Sequence, residues 1–173
     1  GNHFIHAARR NIDITTIIFN NNIYGMTGGQ YSPLTPTNSK ATTSPFGHIE
    51  RPFDIPALAK AAGATYVARG TAYHATLLTD VIVKGIQNKG FSVIDAITQC
   101  PISFGRKNKM GSPAKMLEWQ RDNAVMIQAA AKLKPEDLKG KFIIGELHHE
   151  EAPEYTAEYA KLIERVQQKG GNR

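Results

Sequence analysis

Three strand-length runs of apolar and largely β-branched residues, at 14–19, 65–68 and 91–97, are separated by stretches whose apolar positions recur at helical spacing. Parallel strands need crossovers of a dozen or more residues, usually helical, and a sheet built that way is covered on both faces. The alternation therefore predicts an α/β fold, a three-layer sandwich around a mostly parallel sheet. A fourth apolar run, 142–144, reads as a last strand. Asp54, Pro56 and Gly63 supply the N-cap, early proline and glycine stop of a short helix. Thr71 is expected to cap the next helix, in which Leu77, Leu78, Val81, Ile82 and Ile86 repeat before Gly90. A C-terminal helix opened by Pro153 places Tyr155, Tyr159, Leu162, Ile163 and Val166 on one face.

The chain of 173 residues, 41% hydrophobic and 21% charged, has enough apolar material for one packed domain, which excludes general disorder. No apolar run approaches the roughly 20 residues of a membrane span, and no basic-then-apolar leader opens the chain. A soluble, cytoplasmic protein without a membrane partner is expected. The single cysteine, Cys100, excludes an internal disulfide framework and suits a reducing compartment. A net charge of +6 invites a nucleic-acid reading, yet Arg9-Arg10, Arg106-Lys107-Lys109 and the lysines of 132–141 form short groups without interleaved aromatics. No nucleic-acid partner is predicted. Because the chain opens on Gly1-Asn2-His3 rather than Met, it is read as a segment of a longer polypeptide.

Two long irregular stretches, 20–52 and 100–112, are rich in Gly, Pro, Ser, Thr and Asn, and both leave the carboxyl ends of predicted strands. Ligands of open parallel sheets bind beyond those ends. Directly after the first strand comes Asn20-Asn21-Asn22-Ile23-Tyr24-Gly25-Met26-Thr27-Gly28-Gly29-Gln30. Side-chain amides and free backbone carbonyls emerging together from a buried strand are the hard oxygen donors that magnesium takes beside a phosphate ligand. With few apolar residues, the stretch 20–52 is expected to be poorly ordered without such a ligand. His3 and His6 lack the Cys or carboxylate partners of a zinc set, and His148-His149-Glu150-Glu151 reads as a solvated loop.

The string GNHFIHAARRNIDITTIIFNNNIYGMTGGQYSPLTPT, followed by KATTSPFG, FDIPALAKAAGATYVARG and CPISFGRKN, resembles the thiamine-diphosphate-binding β subunit of 2-oxoacid:ferredoxin oxidoreductases, in its 2-oxoglutarate (2-ketoglutarate) branch. The resemblance covers nearly the whole chain and implies one thiamine-diphosphate-binding domain over 1–173, truncated at its N-terminus, with the fold's C-terminal portion present. The family's diphosphate motif begins with Gly-Asp-Gly and ends in an asparagine pair; this chain has the end. Carried over by position, the side-chain oxygen of Asn21 and the backbone carbonyl of Ile23 bind Mg2+, while Gly25, Met26 and Thr27 lie beside the diphosphate and thiazolium. Asn2 and His3 would begin the helix behind the motif, where free amides and the helix dipole attract a diphosphate. Cys100, within Gln99-Cys100-Pro101, matches the fourth ligand of a [4Fe-4S] cluster whose other three cysteines precede this segment.

The activity so implied is oxidative decarboxylation of 2-oxoglutarate with coenzyme A, giving succinyl-CoA and carbon dioxide, with electrons passed to ferredoxin. The partner is the pyrimidine-binding α subunit, which carries the activating glutamate, so no acid-base catalyst is assigned here. The segment alone is expected to be inactive. Gly28 and Gly29 stand where some relatives place a lysine, which leaves pyruvate or a branched-chain 2-oxoacid as alternative substrates. A non-catalytic α/β interaction module is the alternative of another class.

Overall fold

The computed structural model describes residues 1–170. A helix, α1 (Asn2–Arg10), leads into strand β1 (Ile14–Asn20), and the two-stranded hairpin β2 (Ile23–Tyr24) and β3 (Gln30–Tyr31) follows at once. The chain continues through α2 (Ile55–Ala61), β4 (Tyr66–Thr71), α3 (Ala75–Gln87) and β5 (Phe91–Ile97). After a single π-helical turn (Pro101–Gly105) come α4 (Pro113–Asn123), β6 (Ala124–Met126), α5 (Ile127–Ala130), β7 (Phe142–His149) and α6 (Tyr155–Gly170). Five strands form the main sheet in the order β1-β5-β4-β7-β6. β1, β5 and β4 are mutually parallel, with Ile18 and Arg69 both in register with Asp95.

Alternation along the buried strands divides the core into two layers. On one side Val67, Phe91 and Val93 pack against Ala8 of α1 and Ala59 of α2. On the other Tyr66, Ala68 and Ile94 pack against Val81 of α3, with Leu77, Leu78 and Ile82 beside it. Helices thus cover both faces, as the spacing of the apolar runs predicts, and β5 has the predicted bounds.

Several local expectations are corrected. Thr71 ends β4 and does not cap α3. Its hydroxyl accepts from the His74 backbone N–H at 3.2 Å and pairs with His74 Nδ1 at 2.8 Å, so His74 takes the N-cap position. The run at 142–144 continues to His149 and pairs antiparallel with β4, so His148 and His149 are strand residues rather than a solvated loop. Alternating Ile, Leu and His on a half-covered edge extends a strand that a purely apolar criterion cuts short. The elements α4, β6 and α5 lack a strong apolar period and are not foreseen from the sequence.

Two polar clusters hold the layers in place. Arg69 donates to Asp95 at 2.8 Å and to Asp54, the N-cap of α2, at 2.9 Å. Asp95 is 2% exposed, so this is a buried charge pair whose breaking leaves an uncompensated charge. Asn11 closes α1 in the left-handed region (φ 50°), where asparagine is tolerated far better than most side chains. Its Oδ1 accepts from the Phe91 N–H at 2.8 Å and the Thr65 hydroxyl at 3.0 Å, while its Nδ2 donates to the carbonyls of Ala152 and Pro153. One side chain ties the first helix, the start of β5 and the C-terminal segment together.

Candidate functional site

At the carboxyl end of β1 the backbone folds back on itself. Asn20 Oδ1 accepts from the Asn22 N–H at 3.3 Å, and Asn21 Oδ1 accepts from the Ile23 N–H at 3.1 Å. Asn22 adopts a left-handed conformation (φ 65°), and its carbonyl accepts from the buried Thr35 hydroxyl at 2.6 Å. These bonds are the reason for three asparagines in succession: each supplies either a side-chain acceptor two residues ahead or the left-handed turn itself. The bond from Ile23 also fixes Asn21 with its oxygen, not its nitrogen, towards the turn. A carbonyl oxygen has two lone pairs, and the second fits a hard cation.

Ile23 is 4% exposed and packs with Ala41, Phe104 and Met116. Its side chain is therefore committed to the core, and only its main chain is left for polar chemistry. A cleft of about 380 Å³ opens here, lined by Gly1, Phe4, Phe19, Asn21, Ile23 and Phe53 among others. Gly1 is the N-cap of α1, so the cleft brings the amide end of a nine-residue helix to the turn of Asn21. That pairing of amides with oxygen donors fits a magnesium-bound diphosphate. Asn2 and His3 begin α1 as expected, with exposed side chains.

Beyond the turn, Gly25 lies against the 100–105 turn: a Cβ placed on it would sit 3.1 Å from Cys100 Sγ. Met26 is fully exposed, and the Thr27 hydroxyl donates to Gln30 Oε1 at 2.6 Å. Gly28 (φ 117°) and Gly29 (φ 84°) both need the left-handed half of backbone space. A Cβ at Gly29 would also lie 3.1 Å from Ser103 Cβ and Thr42 Oγ1. A lysine at Gly29 is disfavoured, since its backbone is strained at this φ and Ser103 or Thr42 would have to give by a few tenths of an ångström. Asn21, Ile23 and Gly1 converge on the cleft, while Gly25 and Cys100 meet behind the hairpin.

The stretch 20–52 is more fixed than its composition suggests. Thr35, Ala41 and His48 are buried, and Thr42 donates from its N–H to the Gly29 carbonyl and from its hydroxyl to the Gly28 carbonyl. Asn108 then joins the two long stretches: its Oδ1 accepts from the Lys40 N–H at 2.7 Å and its Nδ2 donates to the Lys40 carbonyl at 3.0 Å. Backbone and hydroxyl bonding, invisible to an apolar criterion, adds to the small apolar core that Ile23 and Ala41 form with Phe104 and Met116. Asn108, Thr35 and Thr42 are the positioning residues that sequence reasoning misses. All three lie inside the strings that carry the resemblance, Thr35 in QYSPLTPT, Thr42 in KATTSPFG and Asn108 in CPISFGRKN, a signal that a motif reading could use.

Among the described residues no three His, Cys, Asp or Glu side chains gather as a metal-binding group. His148 and His149 face Glu150 and Glu146 singly, at 3.6 Å and 3.8 Å. No described helix is long and apolar enough to cross a membrane.

The family described as thiamine pyrophosphate enzyme, C-terminal TPP binding domain, matches residues 1–96, more than half of the chain. The chain belongs to this family. The TPP-family match takes in α1, β1, the turn of Asn21 and α2, the elements that line the cleft. The chain is 51% identical over 164 residues to the 2-oxoglutarate synthase subunit KorB of Methanothermobacter marburgensis, across 95% of this chain and 58% of that protein. It is also 51% identical over 166 residues to the protein of the same name in Methanocaldococcus jannaschii, across 96% of this chain and 62% of that one. Among solved structures it is similar to the 2-oxoglutarate:ferredoxin oxidoreductase of Magnetococcus marinus, which holds 2-oxoglutarate, coenzyme A and succinyl-CoA. That likeness has a TM-score of 0.81 and 30% identity over 96% of this chain and 57% of the other. This TPP-family chain therefore spans about three fifths of the length of the relatives it matches. Its mostly parallel sheet with helices on both faces is the fold of that structural neighbour.

Proposed function

We propose that residues 1–173 are the TPP-binding domain of the β subunit of a 2-oxoglutarate:ferredoxin oxidoreductase. The reading is carried by one observation, the junction at the hairpin 23–31. Asn21 and Ile23 face a cleft with a helix N-terminus on one side, and Gly25 abuts Cys100 on the other. A diphosphate site and a cluster cysteine separated by one hairpin suit a reaction in which electrons leave a bound cofactor for an iron-sulfur centre nearby.

In this proposal Asn21, through its side-chain oxygen, and Ile23, through its carbonyl, hold Mg2+ against the diphosphate. The amide end of α1 at Gly1, Asn2 and His3 faces the same charge. Gly25, which allows close backbone approach, Met26 and Thr27 lie outside the residues lining the cleft and would be offered to the cofactor from the hairpin, and Cys100 would supply one of the four thiolates that a [4Fe-4S] cluster takes. Thiamine diphosphate, when bound, serves as the electron sink for loss of carbon dioxide from the 2-oxoacid. The protein's own part is to orient that group and keep water from it. In the overall reaction 2-oxoglutarate loses carbon dioxide, its succinyl group joins the sulfur of coenzyme A, and two electrons pass singly to ferredoxin. A pyrimidine-binding α subunit completes the site. The reduced Cys100 that this reading requires suits a cytoplasmic setting.

The test is turnover by the assembled enzyme with 2-oxoglutarate, pyruvate and a branched-chain 2-oxoacid in turn. Preference for 2-oxoglutarate with coenzyme A is expected, and Asn21→Ala should lower affinity for thiamine diphosphate with magnesium by about tenfold or more, as loss of a metal ligand does. A preference for pyruvate overturns the substrate. An Asn21→Ala enzyme that binds the cofactor unchanged overturns the site.

A further inference from the structure

Helix α6 runs over Tyr155–Gly170 and leaves the body of the protein. Its first turn is tied down: the Tyr155 N–H donates to the Asn11 carbonyl, and Glu154 accepts from the N–H groups of Asp13, Thr156 and Ala157. From Tyr155 to Gln168 every residue is exposed. The exposure includes its apolar stripe, with Tyr159 54%, Leu162 44%, Ile163 44% and Val166 62% accessible. Such a stripe, on a helix that beyond its first turn packs on none of the described residues, calls for a partner, because isolated helices of this length are marginal in water.

We propose that the stripe of α6 pairs with α6 of a second copy of this chain, in antiparallel orientation. Tyr155, Tyr159, Leu162 and Val166 are spaced four, three and four residues apart, the alternation of a coiled-coil seam. About a two-fold axis between residues 160 and 161, Tyr155 meets Val166 of the other copy and Tyr159 meets Leu162, so all four seam residues are matched at once. The flanking positions then decide the orientation. In this register Glu158 lies beside Arg165 of the other copy, and the symmetry makes that pair twice; Ile163 meets Thr156 on the opposite flank, also twice. A parallel pair would set Glu158 against Ile163 and make no such ion pair.

Two further features agree with the antiparallel arrangement. The root of each helix is fixed to its own body at Asn11 and Asp13, and α6 of 16 residues is about 24 Å long at 1.5 Å per residue. Antiparallel helices hold the two bodies at opposite ends, whereas parallel ones would force them together. Glu158 is bonded within its own helix to Lys161 at 2.6 Å, but both groups are about half exposed or more, so the carboxylate is accessible to the second copy's arginine. The inference is independent of the cofactor reading, since α6 lies outside the cleft and beyond the family match.

Charge reversal tests the pairing in the full chain by sedimentation velocity over a range of concentrations. The unaltered chain is expected to form a concentration-dependent dimer that weakens with added salt. Glu158→Arg and Arg165→Glu should each weaken it by about tenfold or more, since each replaces two attractions by two repulsions. An equimolar mixture of the two variants should dimerise again, because the reversed charges complement each other across the seam. The doubly reversed chain should dimerise as well. Unchanged circular dichroism of each variant shows that the body is folded. A chain monomeric at every concentration overturns the proposal, as do single reversals without effect or a mixture that stays monomeric. If α6 instead serves a partner of different sequence, the mixture will not recover, and the proposal fails on that arm.

Discussion

The contact between Gly25 and Cys100 can be measured without any cofactor, through a double-mutant cycle of Gly25→Ala and Cys100→Ala. A methyl on Gly25 would lie 3.1 Å from Cys100 Sγ, where about 3.5–4.0 Å is comfortable. The hairpin or the turn must therefore open by about half an ångström, and overpacking of this kind costs roughly 1–3 kcal/mol. Gly25 is not among the residues of positive φ, so the alanine adds no backbone strain. Cys100→Ala removes a half-buried sulfur and should cost about 1 kcal/mol. In the double variant the new methyl enters the space the sulfur vacates, so the Gly25→Ala penalty should fall close to zero, a coupling of about 1–3 kcal/mol. Urea unfolding of the four reduced proteins, read at constant m, gives each corner of the cycle. If the two substitutions are additive within about 0.5 kcal/mol, the surfaces do not touch and the adjacency of hairpin and cysteine is refuted.

Asn11→Ala should destabilise the chain by about 3 kcal/mol, from the unpaired Phe91 N–H and the left-handed backbone, and Asn11→Gly by about 1 kcal/mol less; equal losses in urea unfolding would show that backbone strain plays no part. Tyr66 has a buried hydroxyl without a protein partner among the described residues, and burial, reinforced by Glu146, pushes its pKa up to about 12. Tyr66→Phe should therefore cost no stability at neutral pH, and because the raised value favours the folded state until the phenol ionises, it should abolish the stability lost between about pH 10 and 12. Glu154 is held down to about 2, first by the Thr156 hydroxyl and then by backbone N–H groups, so its contribution to α6 is present above the ordinary carboxylate range and lost as pH falls towards 2. Glu154→Gln should flatten the acid limb of the helical circular dichroism signal; a limb of unchanged slope would assign the acid sensitivity to other carboxylates.

What the sequence disclosed follows what its physics depends on. β5 is buried on both faces over six residues, so its apolar run coincides with its bounds. Asp54 and Gly63 obey local capping rules that do not depend on distant partners, and they frame α2 as expected. Thr71 met the same local rule but was claimed by β4, because pairing with β5 extends through Ile97 and outweighs a cap. The apolar run of β7 is only three residues long because its second half carries Glu146, His148 and His149, which a strand beside only one full neighbour can accommodate. At the site, the turn of Asn21 rests on local chemistry, since Asn20 and Asn21 each bond two residues ahead and Asn22 supplies the left-handed conformation. The meeting of Gly25 with Cys100 spans 75 positions of sequence, and no local pattern encodes it. The order within 20–52 is hidden for a related reason: it arises from hydroxyl bonds between residues some 14 apart within the stretch and from the Asn108 amide, 68 residues beyond Lys40.

Ile23, Ala41, Phe104 and Met116 form one small core shared by two stretches that would otherwise pass for separate surface loops. Neither stretch can be shortened, lengthened or exchanged by itself without exposing the apolar side of the other. Their shared core makes them one structural unit: a graft that transplants residues 20–52 onto a related scaffold should carry 100–116 with it, and length changes in one should need compensating changes in the other.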